Sequence, residues 1–305
     1  MDGPSKSLFS FFVFLRAPWW AVLYLLAMSG CASFNTANPG SAGQKLLASD
    51  DFQNGLGQWS IEIENGGSVA ADHGILDIDV PAGATVWFKP LIKGPLMIEY
   101  RATAVSAGGP NDRVSDLNCF WMARDSRNPQ DIFAVTRSGK FADYNWLCTY
   151  YVGLGGNGNT TTRFRRYIGS ATTRPLLPGN DLRDKTDLLV PNQEQTIMLI
   201  ADGHTIEYFR NGHRLFWVSD HEPYTSGWFA FRTTASHLRI RDFRVYSFPS
   251  TQELTRRHGE ENGAWEMQPE FPNLGMGYSS ASHHFLLRAS VSPCLNFLQT
   301  TKHFS

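Results

Sequence analysis

Between Gln58 and Tyr246 the chain runs in short alternating segments separated by tight-turn residue pairs, and this rhythm restricts it to an all-β fold. Asp202-Gly203 and Asn211-Gly212 stand between apolar runs, where such pairs supply the positive φ angles of two-residue hairpins. His73-Gly74 and Asn65-Gly66-Gly67 read the same way. Strands are predicted over Gln58–Glu64, Ser68–Asp72, Ile75–Val80, Ala84–Lys89 and Leu96–Ala104, then over Leu117–Ala123, Asp131–Thr136 and Tyr144–Gly153. Gln195–Ala201, His204–Phe209, Arg214–Ser219, Gly227–Thr233 and His237–Tyr246 complete the set. Alternation in the last run slips at Asp242, as at a β-bulge. No segment sustains a helical period. Aromatic residues at 13% with abundant glycine fit a β-sandwich better than a helical bundle.

The start of the chain sets an expectation of export. Lys6 and Arg16 precede the apolar run Ala17–Met28, which ends in Ser29-Gly30-Cys31. A basic flank, a short apolar core and small residues before a cut are the marks of a secretory signal. Cysteine directly after Ser-Gly resembles the lipobox of bacterial lipoproteins, which implies cleavage before Cys31, lipid on its thiol and a membrane anchor at the cell envelope. The alternative is an uncleaved anchor over Leu8–Met28, which Arg16 and Pro18 weaken. Residues 32–45 are small and polar and read as a flexible tether. Residues 46–248 hold the strand rhythm. Residues 249–305 lose it and read as a disordered tail.

A net charge of −1 gives no general attraction to nucleic acid. Four cysteines are too few for a disulfide scaffold. Cys119 and Cys148 lie in strand-like segments, and a bridge or two buried thiols are both open. No His/Cys/Asp group has zinc spacing. Asp181, Asp184 and Asp187 in the long loop Leu176–Asn192 admit a structural calcium, but three solvated carboxylates fit their spacing better.

Asp143–Tyr167 carries the chemistry. It joins Tyr144, Trp146, Tyr150, Tyr151 and Tyr167 to Arg163, Arg165 and Arg166 through a Gly/Asn-rich bend. Aromatic faces stack on sugar C–H faces, and guanidinium grips a carboxylate with two bonds, so the segment points to an acidic carbohydrate. Residues of equal parity share a strand face. Tyr144, Trp146, Cys148 and Tyr150 are expected on one face, and Arg163 and Arg165 on another. Taken singly, Trp121, Trp146 and Trp228 read as core residues. His204, His213, His221 and His237 read as ordinary strand or turn residues.

The run Asp50–Trp59 with Gly74-Ile75-Leu76 resembles the first strands of concanavalin A-like lectin/glucanase domains. Ala201–Gly212 followed by Gly227–Arg232 resembles their closing meander, and Ser115–Met122 with Tyr150–Gly153 looks like a poorly characterised bacterial branch. The resemblance spans about 46–248 and implies a jelly-roll sandwich of two antiparallel sheets with the sugar site on the concave one. The classical glucanases of this fold carry a Glu-x-Asp-x-Glu strand, which this chain lacks. Glu62 and Glu64 alternate correctly, but without the central Asp and on an early strand. Retaining hydrolysis needs two carboxyls about 5 Å apart, so classical hydrolysis is disfavoured.

Two functions remain. A β-eliminating lyase on acidic glycans needs a neutralised carboxylate, a base and an acid. Asn118 and Arg163, with Arg165, are candidates to neutralise, and Tyr150 or Tyr151 to move protons. Asp116, Trp146, Arg165 and Tyr167 are candidates for substrate contact. The alternative is a non-catalytic lipoprotein that binds polysaccharide. Hydrolysis of an oxidised disaccharide rests on analogy alone. Neither a cofactor nor a nucleic-acid partner is expected.

Overall fold

The computed structural model describes residues 44–247. The expected signal, Cys31, most of the expected tether and the expected tail lie outside them. Fourteen strands form, and every pairing is antiparallel. They are β1 (Leu46–Asp50), β2 (Trp59–Ile63), β3 (Ser68–Asp72), β4 (Ile75–Phe88), β5 (Ile92–Lys93), β6 (Leu96–Ala104), β7 (Leu117–Asp125), β8 (Leu147–Gly155), β9 (Thr161–Ile168), β10 (Asp181–Leu182), β11 (Gln195–Ala201), β12 (Thr205–Arg210), β13 (His213–Ser219) and β14 (Ser226–Ser247).

Two long strands belong to both layers. The first half of β14 pairs with β7 and with the second half of β4; its second half pairs with β6 and with the first half of β4. One layer therefore runs β10-β9-β8-β7-β14-β4-β2, and the other runs β13-β12-β11-β6-β14-β4-β3. The sequence divides β4 and β14 at Pro81–Gly83 and Thr234–Ser236, and the chain bends there without breaking. Ala235 has φ +46°, and the register of β14 against β4 shifts between Thr234 and Ser236. At Asp242 φ is +52° and the register against β6 shifts, as the slipped alternation predicts. Both Asn211 and Gly212 have positive φ, the requirement of a tight hairpin.

Between the layers lies a core of Trp59, Phe88, Tyr100, Trp121, Tyr150, Phe164, Phe229, Phe231 and Phe243 with aliphatic neighbours. A second apolar cluster sits on the other face of the first layer. It contains Trp87, Phe120, Ile132, Tyr144, Tyr151, Tyr167 and Trp228. Trp121 is thus a core residue, while Trp228 packs in the second cluster. Cys119 is a buried free thiol, its pKa raised to about 12 by burial, so it does not bridge to Cys148.

The expected strand Asp131–Thr136 does not form. Residues 126–146 make a covering loop with 3-10 turns at Ile132–Ala134 and Phe141–Trp146. Tyr144 consequently does not share a strand face with Tyr150; it lies in the loop and packs on Phe120 and Trp87.

Candidate functional site

Adjacent residues on β8 separate the two faces. Tyr150 points into the inter-sheet core. Its hydroxyl donates to Asp220 Oδ2 at 2.6 Å and accepts from the Tyr224 amide, while Arg166 Nε reaches the same carboxylate at 2.8 Å. Burial, then Asp220, pushes the Tyr150 pKa far above its ordinary value. Tyr150 is a structural tether and leaves the candidate site; Arg166 leaves with it.

Tyr151 points the other way. Antiparallel register aligns Arg163, Gly153, Asn118, Arg232, Thr85 and Glu62 in one row across the first layer. The next row holds Arg165, Tyr151, Phe120, Ala230 and Trp87. Tyr151 therefore meets Asn118, Arg163, Arg165 and Tyr167 on one face, with its ring 5.2 Å from Phe120, 5.5 Å from Tyr167 and 6.0 Å from Phe141. Gly153 allows the ring to lie along the strand. A Cβ there would stand 2.9 Å from the Tyr151 hydroxyl.

That hydroxyl makes no hydrogen bond to a described residue. Burial, then the nearby Tyr167 and Asp116, holds its pKa well above that of free tyrosine. It is a proton donor through neutral pH. Asn118 is 3% exposed; its amide donates to Asp116 Oδ1 at 3.3 Å, and its own Oδ1 has no partner among the described residues. Asp116 is held by Arg113 at 2.9 Å and by the Ser115 hydroxyl. Native interiors satisfy nearly all buried polar atoms, so the Asn118 carbonyl and the Tyr151 phenol are two polar groups on this face free to meet a polar ligand.

Three other sequence candidates stand differently. Arg163 is gripped by Asp181 at 2.8 and 3.2 Å, and Arg183 shares that carboxylate. Trp146 is exposed at the start of β8 and makes no ring contact with the cluster among the described residues. Tyr167 is buried against Tyr151 and Phe120. Asp181 is lost to a calcium site because two arginines hold it. Among the described residues no three His, Cys, Asp or Glu side chains gather to hold a metal.

The covering loop seals the Trp87–Trp228 end of this face. Arg137, fully buried, binds Glu62 at 2.9 Å and Asp125 at 3.1 Å, and Arg127 holds Asp125 at 2.7 Å. Tyr144 Oη and Trp87 Nε1 both donate to Glu62 Oε2, at 2.6 and 3.0 Å. Glu62 is saturated, and two strands, β4 and β14, separate β2 from β7, which Asp116 precedes, so the described residues of the face offer no pair of free carboxyls for retaining hydrolysis. A separate cavity of about 500 Å³ lies between Ser49–Gln58 and Asp242–Arg244. Its Asp50 already accepts from Phe52, Gln58 and Trp59, and its Asp242 faces Arg101 and Arg244, so it offers less idle chemistry than the Tyr151 face.

A family model described as a domain of unknown function, DUF6250, matches residues 78–243. The chain belongs to the DUF6250 family. The matched stretch contains the whole Tyr151 row and the row of Asn118 beside it, lacking only Glu62 on β2. A Bacillus subtilis protein of unknown function with a galectin-like fold superposes on this DUF6250 domain with TM-score 0.51 at 16% identity, over 67% of this chain and 97% of that one. The carbohydrate-binding module CBM66 from Bacillus subtilis gives 0.42 at 8%, over 62% and 94%. The β-agarase A of Zobellia galactanivorans gives 0.45 at 14%, over 69% and 95%. Comparison with curated proteins returned no match. The DUF6250 domain here is a concanavalin A-like jelly-roll β-sandwich.

Proposed function

We propose that this DUF6250 protein is carbohydrate-active, and that the face around Tyr151 binds an acidic polysaccharide. The observation that carries the reading is the Tyr151 hydroxyl, laid over Gly153 beside the unpartnered Asn118 carbonyl, with half-exposed arginines at the rim. Idle donors and acceptors on a rigid sheet, aromatic faces and guanidinium are what a polyhydroxylated, charged ring requires. Binding is favoured over cleavage. The phenol is held protonated, and the carboxylates beside it are engaged by arginine or hydroxyl partners, so no general base stands free beside it among the described residues.

Gel retardation against a panel of uronate polysaccharides tests the reading, and retarded migration is expected. Elimination is the second reading, since Tyr151 is poised to give a proton to a leaving oxygen. Its signature is ultraviolet absorbance from unsaturated uronate ends, and growth of that band would replace binder with lyase. Absence of both signals across the panel would defeat the proposal. The same proposal takes the chain to be exported and lipid-anchored at Cys31. Incorporation of labelled fatty acid, lost in Cys31→Ser, is the expected result; equal labelling of both forms would contradict it.

A further inference from the structure

We propose that the anionic group of the bound glycan is held by Arg165 and Arg174, with Arg163 outside the contact. This rests on the glycan-binding reading above. Arg163 already has its counter-ion, because Asp181 takes both edges of its guanidinium. Arg165 and Arg174 have none: neither forms an ion pair with a carboxylate among the described residues.

The two side chains belong to one place. Arg165 Nη1 donates to the Arg174 carbonyl at 2.6 Å, fixing the segment after β9 beside that strand. The Arg174 guanidinium lies 4.9 Å over Phe141 and 5.9 Å over Tyr167. Phe141 is flanked on the other side by Arg232, 5.6 Å from its ring. Arg232 is 2% exposed; among the described residues it binds Thr85, Gly139 and Thr234, and its Nε has no partner. Three guanidiniums thus gather about Phe141 and Tyr167 with no carboxylate paired to any of them among the described residues. Like charges held this close repel, and burial and Arg174 both pull the Arg165 pKa down. An arriving anion relieves that repulsion, and ring stacking holds the forks in place to receive it.

A uronate carboxylate and a sulfate ester share the chemistry required, and neutral sugars do not. The discriminating residue is Arg174, since its guanidinium rests on the Phe141 and Tyr167 rings and pairs with no carboxylate among the described residues. The experiment titrates the full chain and its Arg174→Gln, Arg174→Lys and Arg163→Gln variants with polygalacturonate, a sulfated galactan and neutral laminarin, at low and high salt.

Arg174→Gln is expected to weaken binding to at least one anionic polymer by about tenfold, the scale of one charge-assisted hydrogen bond, and to flatten its salt dependence. Arg174→Lys should restore part of the affinity, and Arg163→Gln should stay within about threefold of the parent. Whichever anionic polymer responds identifies the carboxylate or the sulfate. Unchanged affinity in Arg174→Gln, or an equal loss in Arg163→Gln, would overturn the assignment. Laminarin binding as tightly as the anionic polymers would overturn it too, yet leave the carbohydrate reading standing. Retention of none of the three polymers by the parent chain would remove both.

Discussion

At the scale of single residues, the site turns on which of two neighbouring tyrosines faces outward. Parity along β8 dictates that Tyr150 and Tyr151 oppose each other, but every residue of that strand is buried. A strand covered on both faces has no polar alternation to say which parity meets the core. Asn118, Arg165 and Tyr167 were legible as candidates because their residue types are costly to place without a purpose. The pairing of Arg163 with Asp181 was not legible, since it joins positions 18 apart through a loop that folds back as β10. Gly153 carries a signal of its own, since a glycine inside a strand marks a place where something approaches the backbone closely. Here that neighbour is the Tyr151 phenol. Gly153→Ala would bring a methyl 2.9 Å from the hydroxyl and 3.2 Å from the ring. The expected outcome is a displaced Tyr151, weaker glycan binding by titration and a thermal midpoint lowered by only a few degrees, of the order of a ~1 kcal/mol change.

Among elements, the covering loop and the segment before β7 hold the face around Tyr151 in shape by ionic contacts. Ile132, Phe133 and Val135 look strand-like locally, so the sequence predicts a strand over part of this loop. Its shape is set instead by Arg137, which ties residues 12 and 75 positions away. Arg137→Ala removes the guanidinium shared by Glu62 and Asp125, leaving Asp125 only Arg127 and Glu62 only the Tyr144 and Trp87 donors among the described residues, and a loss of roughly 3 kcal/mol is expected in denaturant unfolding. The segment Ser106–Asp116 leads directly into Asn118 and is pinned by His237. That ring meets Asp112 at 2.8 Å and Asp77 at 3.0 Å; Asp79 lies nearby, and Arg239 shares Asp77. His237, read as ordinary from sequence, is a clamp. Burial opposes its protonation, but Asp77 and Asp112 outweigh burial and raise its pKa. A raised pKa adds stability that is complete below about 6.5 and fades as pH climbs through the folded value. Asp112, lowered to about 2 by the Gly109 and Ala107 amides and then by His237, adds stability that fades only as pH falls toward that value. His237→Gln should therefore flatten the decline of thermal midpoint above neutral pH, while an unchanged profile would show that the clamp carries no pH dependence.

Across the whole molecule, the all-β class and most strand positions were legible because hairpins are local and their turn residues are visible. Ser68–Asp72, Leu96–Ala104 and Gln195–Ala201 form over the residues expected of them. The sharing of β4 and β14 between layers was hidden, since a bent strand and two strands share one alternation. That sharing makes the face rigid: β14 runs from the Tyr151 row into the opposite layer, so the aromatic floor is part of the same hydrogen-bonded framework as the core. The central claim is that this framework presents Tyr151, and not Tyr150, to a glycan. Dissociation constants of the parent, Tyr151→Phe and Tyr150→Phe for one acidic oligosaccharide test it most directly. The account predicts a loss of roughly three- to tenfold in Tyr151→Phe, the worth of one hydrogen bond, with Tyr150→Phe binding normally while losing about 1–3 kcal/mol of stability. Unaltered affinity in Tyr151→Phe with a loss in Tyr150→Phe would contradict it.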